Sequence, residues 1–329
     1  SSSSAASDVY KRQVYEDSKS IRRKEYPMKK EEDGTFFIQV RGDLKGRYYT
    51  YIVEGKYEVT DPYSVGSSSN SLRSAIIDLK DTDPPGWHDH KEPGEISPVD
   101  AFIYETHIKD FTGDETSGAS IKGTYLGMAQ RGTSYKGLKT GIDHLVELGI
   151  THVHLMPVND FISVREEREY ANRDDNYNWG YDPELYNVPE GSYSTDPHRA
   201  ETRIREFKTL VMALHQAGLK VVLDVVYNHT FRSKDSNFNI LVPDYYYRIT
   251  GDGTFSNGSG VGNELDTQNP MTRRFILDSL EYWLREYKVD GFRFDLMALI
   301  DIDTVEMAVE RLRKIKKDVL IYGEPWMGG

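Results

Sequence analysis

Beyond residue 100 the chain alternates two hydrophobic patterns. Short, nearly continuous apolar runs occur at "AFIYETHI", "THVHLMPV", "KVVLDVVYNH", "KVDGFRFDLMALI" and "DVLIYGEPW", and between them apolar residues recur every three or four positions. The first pattern predicts strands buried on both faces, the second amphipathic helices. The helix in "GLKTGIDHLVELG" would bury Leu138, Ile142, Leu145 and Val146 and stop at Gly149. A second helix would bury Ile204, Phe207, Val211 and Leu214 and end at Gly218. A third would follow Asn269, with Pro270 in its first turn and Ile276, Leu280, Trp283, Leu284 and Tyr287 as its stripe. A fourth runs from about Thr304 to Lys316. Strands and helices in strict alternation predict a parallel sheet with helical crossovers. No strand leads into a Gly-rich phosphate fingerprint, since "GYDP" and "NGSGVGN" lack the strand-loop-helix context. An α/β fold of the (β/α)8 barrel kind, incomplete at about five strands, therefore fits better than a doubly wound sheet.

Upstream the period shortens. "TFFIQV", "RYYTYIVEG" and "KYEVTDPY" are aromatic and β-branched runs separated by Gly and Asp turns, and predict a small β-sandwich-like domain over residues 33–82. The Pro-rich "DTDPPGWHDHKEPGEISP" marks a linker, residues 83–99, and residues 100–329 form the barrel. Residues 1–32, with a Ser-rich opening and then a charged stretch, are set aside as linker or non-native sequence. His88 and His90 lack a third nearby ligand and are expected in solvent rather than on a metal.

Charge removes several function classes. Lys plus Arg number 41 against 53 Asp plus Glu, a net −12, which disfavours a nucleic-acid partner or an anionic membrane surface. No apolar run approaches the roughly 18 residues of a membrane span. The N-terminus lacks the apolar h-region of a signal peptide, which favours the cytoplasm while leaving the compartment open. With no cysteine, thiolate and disulfide chemistry are excluded. The 23 tyrosines suit surfaces that stack on sugars, although many will be ordinary core and strand residues.

The charges within "KVDGFRFDLMALI" carry the chemistry. Arg293 and Asp295 point to one face of a strand and Phe292 and Phe294 to the other. On that strand alone, Asp295 reads equally well as the N-cap of the next helix. Asp224 and Glu324 also lie near strand ends, however, where a (β/α) barrel carries its reactive groups. If Arg293 and Tyr322 share the inward face, Asp295 and Glu324 project from neighbouring strands about 4.8 Å apart. Two carboxyls at about 5 Å are the arrangement of a retaining glycosidase, with one as nucleophile and the other as acid. Arg293 would then keep Asp295 ionised while Glu324 needs a raised pKa.

"DVVYNH", "GFRFDLMAL" and "YGEPW" resemble the first three signature regions of the α-amylase superfamily, glycoside hydrolase family 13. "YNWGYDP", residues 177–183, is similar to the motif of its starch-debranching type I pullulanases. "YETHIKDFT", "LMPVNDF", "PDYYYR" and "NGSGVGNE" support the match, and "TDPYSVG" resembles the end of the starch-binding module preceding such barrels. The resemblance implies cleavage of α-1,6 links in pullulan or branched dextrins, with an α-glucan as partner and no cofactor. It makes Asp295 the nucleophile, Glu324 the general acid/base and Arg293 the group that positions Asp295. Asp224 and His229 would bind the sugar and Tyr181 would stack beneath it, while Tyr177, Trp179 and Trp326 would contact the glucan. Loop packing is the other reading of Tyr177 and Trp179. Asn228 resembles a calcium-binding position of some amylases and is left out of the site, so no metal is assigned.

The fourth signature region, with its third carboxylate, would follow the fifth strand, and the chain ends before it. A fragment, inactive by itself, is the corresponding expectation. An isoamylase, a glycogen-branching transferase and a non-catalytic starch-binding protein are the rival readings.

Overall fold

The computed structural model describes residues 10–171, 173 and 175–326, so most of the Ser-rich opening and the final "MGG" lie outside the described residues. Four N-terminal strands, β1 (Lys11–Tyr15), β2 (Arg23–Pro27), β3 (Tyr48–Val53) and β4 (Tyr57–Val59), form an antiparallel, sandwich-like region in the order β2-β1-β3-β4. Ser74–Ala75 also pairs with β3.

Strand β1 corrects the reading of residues 1–32 as linker. It is an interior strand, bonded to β2 on one side and to β3 on the other. Its charges concealed it. Arg12 lies over the rings of Tyr49 and Tyr51, at 4.5 and 4.9 Å, so a basic residue is accommodated within the sheet by aromatic faces. Of the predicted "TFFIQV" strand, only Phe36–Phe37 pairs, with Lys29–Lys30.

The second layer is parallel throughout. Strands β5 (Ile103–Thr106), β6 (His152–Leu155), β7 (Lys220–Val225), β8 (Gly291–Phe294) and β9 (Leu320–Gly323) lie side by side in sequence order. Helices α1 (Gly141–Leu148), α2 (Ala200–Gln216), α3 (Pro270–Glu286) and α4 (Ile302–Ile315) make the crossovers. Sequential parallel strands with helical crossovers are five consecutive units of a (β/α) barrel. Ile204, Phe207, Val211 and Leu214 of α2 are buried as their spacing predicts, as are Ile276, Leu280, Trp283 and Leu284 of α3 and Tyr287 just beyond it. Among the described residues no helix is long and apolar enough to cross a membrane.

Helix α1 departs from the expected stripe. Ile142 and Leu145 are buried, but Leu138 is 74% exposed and Val146 faces solvent. Leu138 pairs with Tyr135 in a tight hairpin whose central residues, Lys136 and Gly137, have φ of 49° and 82°. Two successive positive φ values make a turn suited to hairpins, so the helix starts only at Gly141 and the helical count from Leu138 fails. The linker is also more deeply engaged than its prolines suggest. Trp87 is buried in the barrel core, its carbonyl accepts from Lys288 Nζ at 2.8 Å, and the buried Lys208 Nζ reaches Asp83 at 2.6 Å. His88 is exposed as expected, whereas His90 packs on Trp87 and shares a 3.1 Å hydrogen bond with His215.

The N-terminal region meets the barrel at a buried charge cluster. Arg203 of α2 pairs with Glu166 at 2.7 Å and with Asp160 at 3.2 Å. Asp160, Glu166 and Glu190 bring carboxylate oxygens within 4.8 Å of one another. From the N-terminal side, Asn70 N donates to Glu166 at 2.7 Å, and Ser67 and Ser71 donate to Asp160. Gly191 is required here, because a Cβ at that position would lie 2.4 Å from both Arg203 and Glu166. Burial, followed by the charge of Glu166, pushes Glu190 up to about 8.

Candidate active site

The register of the parallel strands assembles the site. Asp224 pairs with Arg293, and Arg293 with Tyr322, so three side chains from β7, β8 and β9 leave the sheet at one level. One step beyond, Asp295 N donates to Val225 O and Glu324 N to Phe294 O, each at 3.0 Å, which carries the register on to Asp295 and Glu324. Phe292 and Phe294 are buried in the core. The strand thus keeps an apolar face and a charged one.

Arg293 is the hub. Its Nη1 lies 2.9 and 3.0 Å from the two oxygens of Asp224 and 3.3 Å from Asp295 Oδ1, while Nη2 pairs with Glu324 Oε1. Burial works against the guanidinium charge, but the charge and hydrogen bond of Asp224 outweigh it and raise the pKa. Arg293 contacts Asp295 as expected, and its shorter contacts are to Asp224 and Glu324. Asp224 stands directly beside Arg293 on the adjoining strand, whereas Asp295 and Glu324 both lie two residues beyond that level, on its own strand and on the other neighbour.

Asp295 is held mainly by Asn228, whose Nδ2 donates to its carbonyl at 2.8 Å and to Oδ2 at 2.9 Å. Burial, the largest influence, pushes the Asp295 carboxyl up to about 6, with Asp224 and Glu324 adding to it and Asn228 and Arg293 opposing. Arg293 therefore does not dominate its ionisation. Immediately after it, Leu296 adopts a left-handed conformation, φ 40°, and its N–H donates to Glu324 Oε2 at 3.2 Å. A non-glycine residue held there is backbone strain placed between the two carboxylates.

Asp224 is fully enclosed. Besides Arg293 it accepts from Tyr181 Oη at 2.8 Å and from His154 Nε2 at 3.2 Å, and His154 Nδ1 accepts from Tyr322 Oη at 3.1 Å. These partners place the His154 proton on Nε2. Burial, then Asp224, raises the Tyr181 pKa, so it remains a phenol that donates. His229 is buried against Asn228, its Nε2 donates to Tyr181 O at 2.8 Å, and burial pushes it down to about 4.

A cleft of about 510 Å³ opens beside this cluster, lined by Tyr177, Asn178, Trp179, Tyr181, Asp182, His229, Phe231 and Val261. Tyr177 is anchored through a 2.6 Å hydrogen bond to Asp110, and Trp179 is 60% exposed. Trp326, also exposed, lies two residues past Glu324 and is not part of this lining. The structure thus brings the predicted Asp224, Arg293, Asp295, Glu324, Tyr181 and His229 into one cluster and puts Tyr177 and Trp179 on the adjoining cleft. Sequence reasoning missed His154 and left out Asn228, which here holds Asp295. Parity along "THVHL" places His154 on the face of its strand that meets Asp224, yet a single histidine in a buried run carries no local sign of a role.

Five barrel units thus gather three carboxylates on one arginine at their strand ends. Residues 102–252, within the barrel, match the family described as "Alpha amylase, catalytic domain". Along nearly its whole length the chain is similar to pullulanases. It is 41% identical to the pullulanase of Bacillus subtilis over 92% of this chain and 41% of that protein. It is 35% identical to the chloroplastic pullulanase 1 of Arabidopsis thaliana over 91% of this chain and 36% of that one. The crystal structure of a pullulanase from Paenibacillus barengoltzii, in complex with maltohexaose and α-cyclodextrin, superposes with a TM-score of 0.92 at 44% identity, covering 98% of this chain and 50% of that one. The chain spans half or less of the length of these relatives.

Proposed function

We propose that the protein hydrolyses α-1,6-glucosidic branch links in pullulan, starch or glycogen-derived dextrins with retention of configuration. The observation that carries this reading is the in-register placement of Asp295 and Glu324 on adjacent strands, both bonded to one guanidinium. In this reading Asp295 attacks the anomeric carbon while Glu324 gives a proton to the departing glycosidic oxygen. Water then displaces Asp295 and returns a proton to Glu324. Arg293 holds the carboxylates in their mutual orientation. Tyr181 lies beneath the sugar and His229 beside it. Asp224 reaches the sugar by exchanging the Tyr181 hydroxyl for a sugar hydroxyl, since all its present partners are internal. Tyr177 and Trp179 present exposed rings at the mouth, where the branch enters, and Trp326 extends the glucan surface past Glu324.

Similarity to pullulanases over more than nine-tenths of the chain supports α-1,6 links over α-1,4 links. The test is product analysis with the full-length protein and its Glu324→Gln variant. Pullulan should be cut to maltotriose by the wild type alone, with amylose untouched. Cleavage confined to amylose would overturn the debranching assignment.

A further inference from the structure

The N-terminal ends of the barrel strands, opposite Asp295 and Glu324, hold a second buried polar network that the mechanism does not use. Asp290, one residue before β8, accepts from Val221 N at Oδ2 and from Lys316 Nζ at Oδ1, each at 2.8 Å. His215 Nε2, in the last turn of α2, lies 2.8 Å from Asp290 Oδ2. On its other side His215 Nδ1 lies 3.1 Å from His90 Nε2 of the linker, and His90 Nδ1 lies 2.9 Å from Trp87 O. Protons can be counted along this chain of bonds. A carbonyl oxygen only accepts, so His90 Nδ1 carries a proton. Asp290 accepts at both oxygens, and although burial opposes its charge, the hydrogen bond from His215 and the charge of Lys316 hold its carboxyl well below the usual range. It is a carboxylate, so His215 Nε2 carries a proton too. Between the two rings there is room for a single proton, since two would set N–H against N–H and none would set lone pair against lone pair. The pair is therefore bonded only while three protons occupy its four ring nitrogens, which is one positive charge shared by two histidines.

We infer that His90 and His215 form a pH-sensitive latch that holds the linker against the base of the barrel, closed while the two rings share one positive charge and opened when acid supplies a second. The surroundings put the single charge on His215, which is fully buried against the Asp290 carboxylate. His90 is the neutral partner. Burial lowers its pKa, against the pull of the Trp87 carbonyl and Glu92 and with the help of the charges on Lys288 and His215. The other charged groups at this base are already engaged. Lys288 Nζ donates to Trp87 O at 2.8 Å, Lys316 pairs with Glu92 at 2.5 Å as well as with Asp290, and Lys220, 3.6 Å from Asp290, pairs with Asp318 at 2.6 Å. Burial lowers the pKa of the neighbouring His152, which keeps it from adding a charge of its own. The direction of the pH effect follows. Docked His90 is neutral, while released His90 titrates at its ordinary value of 6.5, so below that pH release takes up a proton and docking weakens as the pH falls. Trp87 anchors the linker in the barrel core, and the latch governs the turn just after it, where Asp89 N and His90 N donate to Gly86 O at 3.1 and 3.0 Å. Acid thereby loosens one attachment of the linker at a place remote from the reacting groups.

The experiment is amide hydrogen exchange in the full-length protein and in its His90→Gln and His90→Phe variants, with protection factors corrected for intrinsic exchange at pH 7.5 and pH 5.5. In the wild type, protection of the amides in residues 86–92 should fall about tenfold between the two, as uptake of one proton by a group of ordinary histidine pKa requires. The amides of β7 serve as the reference and should keep their protection. His90→Gln puts a side-chain carbonyl where His90 Nε2 accepts, and that carbonyl cannot ionise, so protection should be retained at both pH values. His90→Phe keeps a ring against Trp87 but accepts nothing from His215, so protection should be lower than in the wild type at pH 7.5 and no lower at pH 5.5. Wild-type protection that does not respond to pH, a response that persists in His90→Gln, a loss shared by the amides of β7, or full protection in His90→Phe at pH 7.5 would each overturn the inference.

Discussion

Asp295→Asn should abolish turnover of branched glucans and yield a protein more stable than the wild type at neutral pH. If Asp295 is the nucleophile, as proposed, the change removes it while keeping its shape, and the loss should be on the order of 10⁴-fold or more in kcat, with glucan binding retained. The gain in stability follows from burial. The Asp295 carboxyl is raised from 3.8 to about 6 in the folded chain. Between those values the unfolded chain gives up its proton first, so stability falls as pH rises from about 4 to about 6, and the full cost remains above that. The shift corresponds to at most about 3 kcal/mol at neutral pH. An asparagine avoids that cost, although it presents an N–H to one of the two donors, Asn228 and Arg293, that now face the carboxylate. Thermal or denaturant unfolding of both proteins at pH 4 and pH 7.5 should show a difference only at the higher pH. The wild-type activity should have its acid limb near pH 6, where Asp295 ionises. Substantial kcat in Asp295→Asn would reduce Asp295 to the cap of a following turn.

Arg203→Leu should have the largest structural effect. Arg203 is fully buried and, among the described residues, is the sole cation paired with the carboxylates of Asp160 and Glu166, with Glu190 close by. Removing one partner of a buried ion pair usually costs 3–5 kcal/mol, because the remaining charge has no solvent. For a chain of this size a melting temperature lower by about 10 °C follows. The effect should be greater at pH 8 than at pH 5, because burial raises the pKa values of Asp160 and Glu190 and acid neutralises them once the guanidinium is gone. The same residues fasten Asn70, Ser67 and Ser71 to the barrel, so proteolysis near residue 70 should accelerate with the loss of stability. An unchanged melting temperature would show that protons, rather than Arg203, already neutralise the cluster.

The parallel layer was legible because strands buried on both faces have no alternative to continuous apolar runs, and α2 and α3 carry stripes long enough to count. The charged face of β8 was legible for the same reason, since Arg293 and Asp295 interrupt such a run at a spacing of two. What escaped was set by distant partners. Strand β1 reads as a charged linker until Tyr49 and Tyr51 are placed against Arg12. Trp87 reads as linker until the barrel core closes over it. His154 acquires its role only when Tyr322 and Asp224 occupy its two ring nitrogens. The loop after β7 is tied to the 257–265 segment by a reciprocal Thr230–Asn263 pair that no local periodicity announces. The pKa of Asp295 escaped as well, because it depends on depth of burial more than on the arginine two residues away.

Retention of configuration is the outcome to which the Asp295–Glu324 pair commits the chemistry most directly. Proton NMR of the first sugar released from pullulan by the full-length protein, recorded before mutarotation, should show the α-anomer ahead of the β-anomer, because two displacements at the anomeric carbon restore its starting configuration. The β-anomer appearing first would mean a single displacement by water, and would contradict a nucleophilic Asp295.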